Sequence, residues 1–129
     1  MGQGFLIDTN IVIATLGNKL PPDGSDFIKT ISPNISVITQ IELLGWHGVS
    51  ASDLIPLTDF VNKATIFSLE PPIVQQTIIL RQYHKIKTPD AIIAATALIY
   101  GLTLVSRNVS DFTQISQLQV IDPFKLPAQ

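Results

Sequence analysis

Thr88-Pro89-Asp90-Ala91-Ile92-Ile93-Ala94-Ala95-Thr96-Ala97-Leu98-Ile99-Tyr100-Gly101-Leu102-Thr103-Leu104-Val105-Ser106 is the stretch that decides the fold. Thr88 reads as an N-cap and Pro89 as the first helical residue, where its missing N–H is not needed. Residues 91–101 are apolar on every side, the mark of a helix enclosed by other elements. Residues 102–106 then read as a strand. A fully enclosed helix feeding a strand belongs to an α/β architecture in which helices cover both faces of a parallel sheet.

Working outward, the same alternation recurs. Residues 5–7 form a short buried strand, and after Asp8 residues 10–16 continue as a helix closed by Gly17-Asn18. Past the Pro21-Pro22-Asp23-Gly24 turn come a short helix over 25–31, a strand over 35–38 and a helix over 39–46. Ser52 is expected to cap a helix over 53–64, because Leu54, Leu57, Val61 and Ala64 recur at spacings of three and four. A strand over 65–69 follows, then a helix opened by Pro71-Pro72 and running to about residue 86. The chain closes with a short turn or helix over 110–115 and a last strand over 118–121. With no internal repeat, low-complexity segment or linker, residues 1–129 read as one domain.

Composition narrows the chemistry. The 129 residues are 46% hydrophobic, with 8 basic and 10 acidic side chains and a formal net charge of −2. Zero cysteines exclude a disulfide, a thiolate zinc site and a cysteine nucleophile, and two histidines leave little room for a histidine-based metal site. Any metal must be held by oxygen. The apolar run at residues 5–7 is far short of a signal-peptide core of roughly 7–15 residues. The longest apolar stretch, residues 91–100, is about half of the roughly 20 residues a membrane span requires. The expectation is a cytoplasmic protein without membrane contact. A mildly acidic chain lacks the net positive field of a typical nucleic-acid binder, so contact with nucleic acid needs a local patch or bound cations.

The ten acidic side chains are eight Asp and two Glu, and four of the ten occur where an α/β fold points side chains into one crevice. Asp8 follows the first strand directly, and Asp111 follows the strand ending at Ser106. Glu42 lies one helical turn from both Ile38 and Trp46, so it shares a face with two large apolar residues, and burial there demands a partner such as Arg81 or Arg107. Asp90 sits at the mouth of the enclosed helix. Carboxylates gathered in one cleft repel unless a divalent cation neutralises them, and Mg²⁺ or Mn²⁺ takes such hard oxygen ligands. Phosphodiester hydrolysis by water uses an all-carboxylate site best. Each acid also has an ordinary reading: Asp8 and Asp111 as helix caps, Asp90 as a complement to a helix dipole, Glu42 as half of a buried ion pair.

The ordered set Phe5-Leu6-Ile7-Asp8-Thr9-Asn10, Glu42, Thr88-Pro89-Asp90-Ala91 and Leu104-Val105-Ser106-Arg107-Asn108-Val109-Ser110-Asp111-Phe112 resembles the PIN-domain ribonucleases, especially the VapC-type toxins. The likeness spans nearly the whole chain, with the acids separated by 34, 48 and 21 residues. The resemblance implies a PIN-like three-layer α/β/α fold with a central, mainly parallel sheet of four to five strands. It implies that Asp8, Glu42, Asp90 and Asp111 bind Mg²⁺ or Mn²⁺ and carry catalysis. Asn10, Ser106, Asn108 and Arg107 would orient the cluster or the substrate. Ser106 stands where the family usually has Thr. The implied reaction is attack of an activated water on an RNA phosphodiester, leaving a 5′-phosphate and a 3′-hydroxyl. A homodimer and a cognate antitoxin partner are implied as well.

Arg81, Lys85 and Lys87, with Arg107, are candidates for backbone phosphates, although Arg81 and Lys85 at i and i+4 equally suit a solvated helix face. Trp46 reads as core or dimer contact, and His47 and His84 receive no role. The apolar residues Ile11 to Leu16 and Leu43-Leu44 suit a covering partner or an ordinary core. A receiver-type module would need a mid-chain phosphoacceptor Asp and a Lys after a late strand. An aspartyl-phosphate phosphatase would need an acid where Asn10 stands. The competing reading is a PIN-like module that binds RNA or protein without cutting.

Overall fold

The computed structural model describes residues 4–126. The order is β1 (Phe5–Ile7), α1 (Thr9–Leu16), α2 (Pro22–Thr30), β2 (Asn34–Ser36), α3 (Val37–Leu44), α4 (Ala51–Lys63), β3 (Thr65–Phe67), α5 (Pro71–Tyr83), α6 (Thr88–Tyr100), β4 (Thr103–Val105), α7 (Val109–Phe112) and β5 (Val120–Ile121). All strand pairings are parallel: β1 and β5 flank β4, and β2 pairs with β3. The two ladders are separate, but β1 and β2 lie side by side. Asn34 Nδ2 donates to Phe5 O at 2.9 Å across that seam.

Alternation along the central strands places helices on both faces. Leu6 and Leu104 point into one core cluster with Ile73, Leu80, Phe112 and the enclosed helix α6, while Ile7 and Val105 point into a second with Ile11, Val12, Leu43, Leu57 and Val61. Residues 91–97 of α6 are all buried. Thr96, the polar residue among them, donates to Ile92 O at 2.8 Å and so needs no external partner. Gly101 ends α6 in the left-handed region at φ 65°, its N–H on Ala97 O and Leu98 O, which turns the chain straight into β4. The core packing of Ile11, Val12 and Leu43 assigns that apolar segment to the interior, whereas Leu16 is exposed.

Several boundaries differ from the sequence reading. Lys87, not Thr88, occupies the N-cap of α6, in extended conformation (φ −70°, ψ 150°), and Pro89 is the second helical residue, still within the first turn where no N–H is required. Ser50 rather than Ser52 caps α4, its Oγ accepting from Asp53 N at 3.1 Å. Ser36 caps α3 two residues earlier than expected, accepting from Ile38 N at 3.0 Å. At its other end α3 stops at Leu44, where Gly45 caps it with its N–H on Ile41 O, and Trp46 lies beyond it, 47% exposed rather than in the core. Helix α5 stops at Tyr83 instead of about residue 86, because His84 is extended (φ −136°, ψ 148°). Among the described residues, no helix is long and apolar enough to cross a membrane.

Candidate active site

The carboxyl ends of β1 and β4 in one ladder and of β2 in the other lie on the same side, where side chains leaving parallel strands converge. At the end of β1 the backbone ladder continues one residue, Asp8 N donating to Val105 O at 2.9 Å. Asp8 then caps α1. Its Oδ1 accepts from Thr9 N at 2.8 Å, and its Oδ2 accepts from Ser106 Oγ at 2.7 Å. Ser106 is fully buried and its Oγ also accepts from Asn108 N at 3.0 Å. One hydroxyl therefore orients Asp8 and shapes the turn after β4. Capping and lining a crevice, alternatives in the sequence, are both performed by Asp8. Only 6% of Asp8 is exposed, and desolvation lifts its carboxyl above the usual carboxylate range, with Glu42 adding to the rise and the Ser106 and Thr9 bonds opposing it.

Glu42 is exposed, contrary to the burial its apolar neighbours implied, because α3 ends before Trp46 can join that face. Its partner is neither Arg81 nor Arg107. Thr9 Oγ1 donates to Glu42 Oε1 at 2.6 Å and lies 3.0 Å from the Oγ1 of fully buried Thr39. A hydroxyl has one proton, so the Glu42 carboxylate and the Thr39 oxygen compete for that of Thr9, and the charged, closer carboxylate is the stronger acceptor. Arg107 instead stacks its guanidinium over Phe124, 4.1 Å from the ring centroid. Arg81 Nε donates to Ile86 O at 3.3 Å.

Asp90 is half-buried in the first turn of α6. Desolvation raises its carboxyl above the usual range, and the charges of Asp8, Asp111 and Glu42 push the same way against Lys87. A cavity of about 240 Å³ is lined by Asp8, Thr9, Asn10, Glu42, Asp90 and Asn108, with Ile13 and Trp46 forming its apolar wall. Asp8, Glu42 and Asp90 thus come together. Asp111, exposed on α7, does not line this cavity. It accepts from Asn108 Nδ2 at 2.7 Å and faces a neighbouring cavity of about 450 Å³, which also contains Asp90. His47 and His84 line neither cavity.

Among the described residues, no three His, Asp or Glu side chains close into a ready-made cation cage. The donors facing the first cavity are nonetheless all oxygen, and the repulsion felt at Asp90 is a charge excess that a cation relieves. That chemistry fits a hard divalent ion such as Mg²⁺, which keeps several waters and takes few protein carboxylates.

Sequence reasoning missed Thr9 and Thr39, the hydroxyls that steer Glu42, and Trp46 as a cavity wall. The signal was present: Thr39 precedes Glu42 by one helical step of three residues, and Thr9 stands between Asp8 and Asn10.

A helix-covered parallel sheet carrying a buried aspartate and a carboxylate-lined cleft at its carboxyl edge defines an acidic-cleft α/β domain. The family model described as PIN domain matches residues 5–118, and the chain belongs to the PIN domain family. It is 28% identical to Ribonuclease VapC1 of Rickettsia felis, over 92% of this chain and 96% of the relative. Among solved structures, it is similar to a toxin-antitoxin complex from Klebsiella pneumoniae at 29% identity and TM-score 0.76, covering 95% of this chain and 100% of that one. The fold is also that of DNA-bound VapBC from Salmonella typhimurium, with TM-score 0.81, 23% identity, and 94% and 98% of the two chains covered.

Proposed function

We propose that this protein is a Mg²⁺- or Mn²⁺-dependent endoribonuclease, the toxin of a VapBC-type pair. The observation that carries the reading is Asp8: buried at a strand end, with both oxygens fixed by Ser106 and Thr9, it opens with Glu42 and Asp90 onto one cavity. The relative named a ribonuclease and the toxin-antitoxin complexes of similar fold support it. The corresponding partners are an RNA substrate, a cognate antitoxin and a second copy of this chain, acting in the cytoplasm.

Asp8 and Asp90 would hold the cation, with Glu42 and, from the neighbouring cavity, Asp111 completing the acidic set. A divalent cation there supplies Lewis-acid chemistry for hydrolysis of a phosphodiester by water. Glu42, open to the cavity and bonded by Thr9, would accept the proton of the attacking water. Ser106 keeps Asp8 turned toward the cavity, Asn10 and Asn108 offer amides along its rim, and attack leaves a 5′-phosphate and a 3′-hydroxyl. Arg107, held on Phe124, stands outside this set.

The test is cleavage of a mixed structured and single-stranded RNA pool with Mg²⁺ or Mn²⁺, beside EDTA and an Asp8→Asn/Asp90→Asn double variant. Cutting that disappears in both controls is the expected result. No cutting by the unaltered protein, with no thermal stabilisation by Mn²⁺, overturns the reading in favour of a non-catalytic binding module.

A further inference from the structure

The cavity beyond Asp90 carries an arrangement that hydrolysis itself does not use. Its lining is Arg81, Lys85, Ile86 and Lys87 on one side and Asp90 and Asp111 on the other. Three of the chain's eight basic residues therefore border a single recess that shares Asp90 with the acidic cavity. They are not a solvated helix face. Helix α5 ends at Tyr83, so Lys85 and Lys87 stand on the loop of residues 84–87, on either side of buried Ile86. That loop is pinned from two directions: Arg81 Nε donates to Ile86 O, and Gln114 Nε2 donates both to Lys85 O at 3.3 Å and to Asp111 O at 2.8 Å. Nor do the basic groups merely neutralise the acids. Asp111 has Asn108 as its hydrogen-bond partner.

We infer that Arg81, Lys85 and Lys87 form the track for an unpaired RNA strand, binding the phosphates that flank the one presented to Asp8 and Asp90. This rests on the ribonuclease reading and deepens it. Charge complementarity selects a polyanion, and continuity with the acidic cavity selects the substrate strand itself. The adjoining acidic cavity selects a single strand, because Asp8 within it is only 6% exposed and is reached by a flexible phosphate better than by one on the rigid cylinder of a duplex.

The experiment combines kinetics with salt-dependent binding of a labelled single-stranded oligoribonucleotide, the binding measured in EDTA so that nothing is cut. Arg81→Ala, Lys85→Ala and Lys87→Ala should each raise KM several-fold and leave kcat within about twofold, the behaviour of residues that bind phosphate without sequence readout. The triple variant should reduce the slope of log K against log salt by about 2, since each phosphate contact with a single strand contributes about 0.7. Lys85→Glu/Lys87→Glu, which leaves the Arg81 bond to the loop intact, should weaken binding further, whereas Lys85→Arg/Lys87→Arg should restore it. An unchanged slope and KM in the triple variant overturn the track. Unchanged RNA binding with loss of binding to a polyglutamate peptide overturns it as well, in favour of an acidic protein partner. If the unaltered protein cuts no RNA but the salt slope still falls in the variants, the nuclease reading fails and the track stands.

Discussion

On the α1 side of Asp90 the acidic wall is set by the sheet, and on the α7 side by a short helix. Asp8 emerges from the β1–β4 ladder, is nearly buried, and has both oxygens engaged by groups that are themselves fixed. Asp111 sits on a four-residue helix, exposed, with one amide from Asn108 as its side-chain partner. The two carboxylates have the same chemistry and unequal preorganisation. Catalytic leverage follows the groups whose positions are settled before substrate arrives, so the two flanks should respond to mutation very differently.

The largest difference should come from Asp8→Asn, which removes charge while keeping shape. Cleavage is expected to fall by roughly 10²–10⁴-fold, because losing a carboxylate that would hold the cation forfeits several kcal/mol of charge stabilisation. Stability should move the other way. Burial raises the folded-state pKa of Asp8 above its ordinary value of 3.8, so the contribution of this group is fully present below that value and is lost as pH rises through the raised one. In EDTA near neutral pH the Asn variant should therefore melt above the unaltered protein, and the gap should close as the pH approaches 3. Asp90→Asn should show the same trend, since its carboxyl is raised by burial and by its acidic neighbours. A variant that melts lower at neutral pH would mean that desolvation does not govern the Asp8 flank.

Ser106→Ala tests what holds that flank. Losing the hydroxyl frees Asp8 Oδ2 and leaves Asn108 N without its acceptor. Removing a partner that orients a ligand typically costs 10–100-fold in metal affinity or activity, and an orphaned amide costs about 1–3 kcal/mol, readable by urea denaturation. Asp111→Asn should cost less, under about tenfold in cleavage, as expected of an exposed group with little pairing energy to lose. Equal losses at Asp111 and Asp8 would erase the contrast between the flanks.

The contrast also marks where the sequence was legible. Strand-end acids are readable because continuous apolar runs such as Phe5-Leu6-Ile7 stop abruptly at them, and the enclosed α6 is readable because no polar face interrupts residues 91–95. The environment of Glu42 was not readable. Helical spacing placed it beside Trp46, but Ser36 starts α3 early and the helix ends before that residue. Likewise the i, i+4 relation of Arg81 and Lys85 suggested a helix face, whereas the extended His84 puts Lys85 on a loop. In both cases the error lies at a helix end, where a local cap competes with periodicity.

The smallest effect isolates the hydroxyl pair behind Glu42. Thr39 is fully buried, and Thr39→Val keeps its shape while removing the oxygen that competes with Glu42 for the Thr9 proton. Thr9 would then donate to Glu42 alone, so cleavage should hold or rise by no more than about threefold, within the reach of one net hydrogen bond of ~0.5–1.5 kcal/mol. Thr39→Ser should behave as the unaltered protein, and Thr9→Val, which removes the donor itself, should lower cleavage. The direction of the Thr39 effect is decisive for proton placement. If Thr39 instead donated to Thr9, the Val substitution would leave the Thr9 oxygen less polarised, and activity would fall.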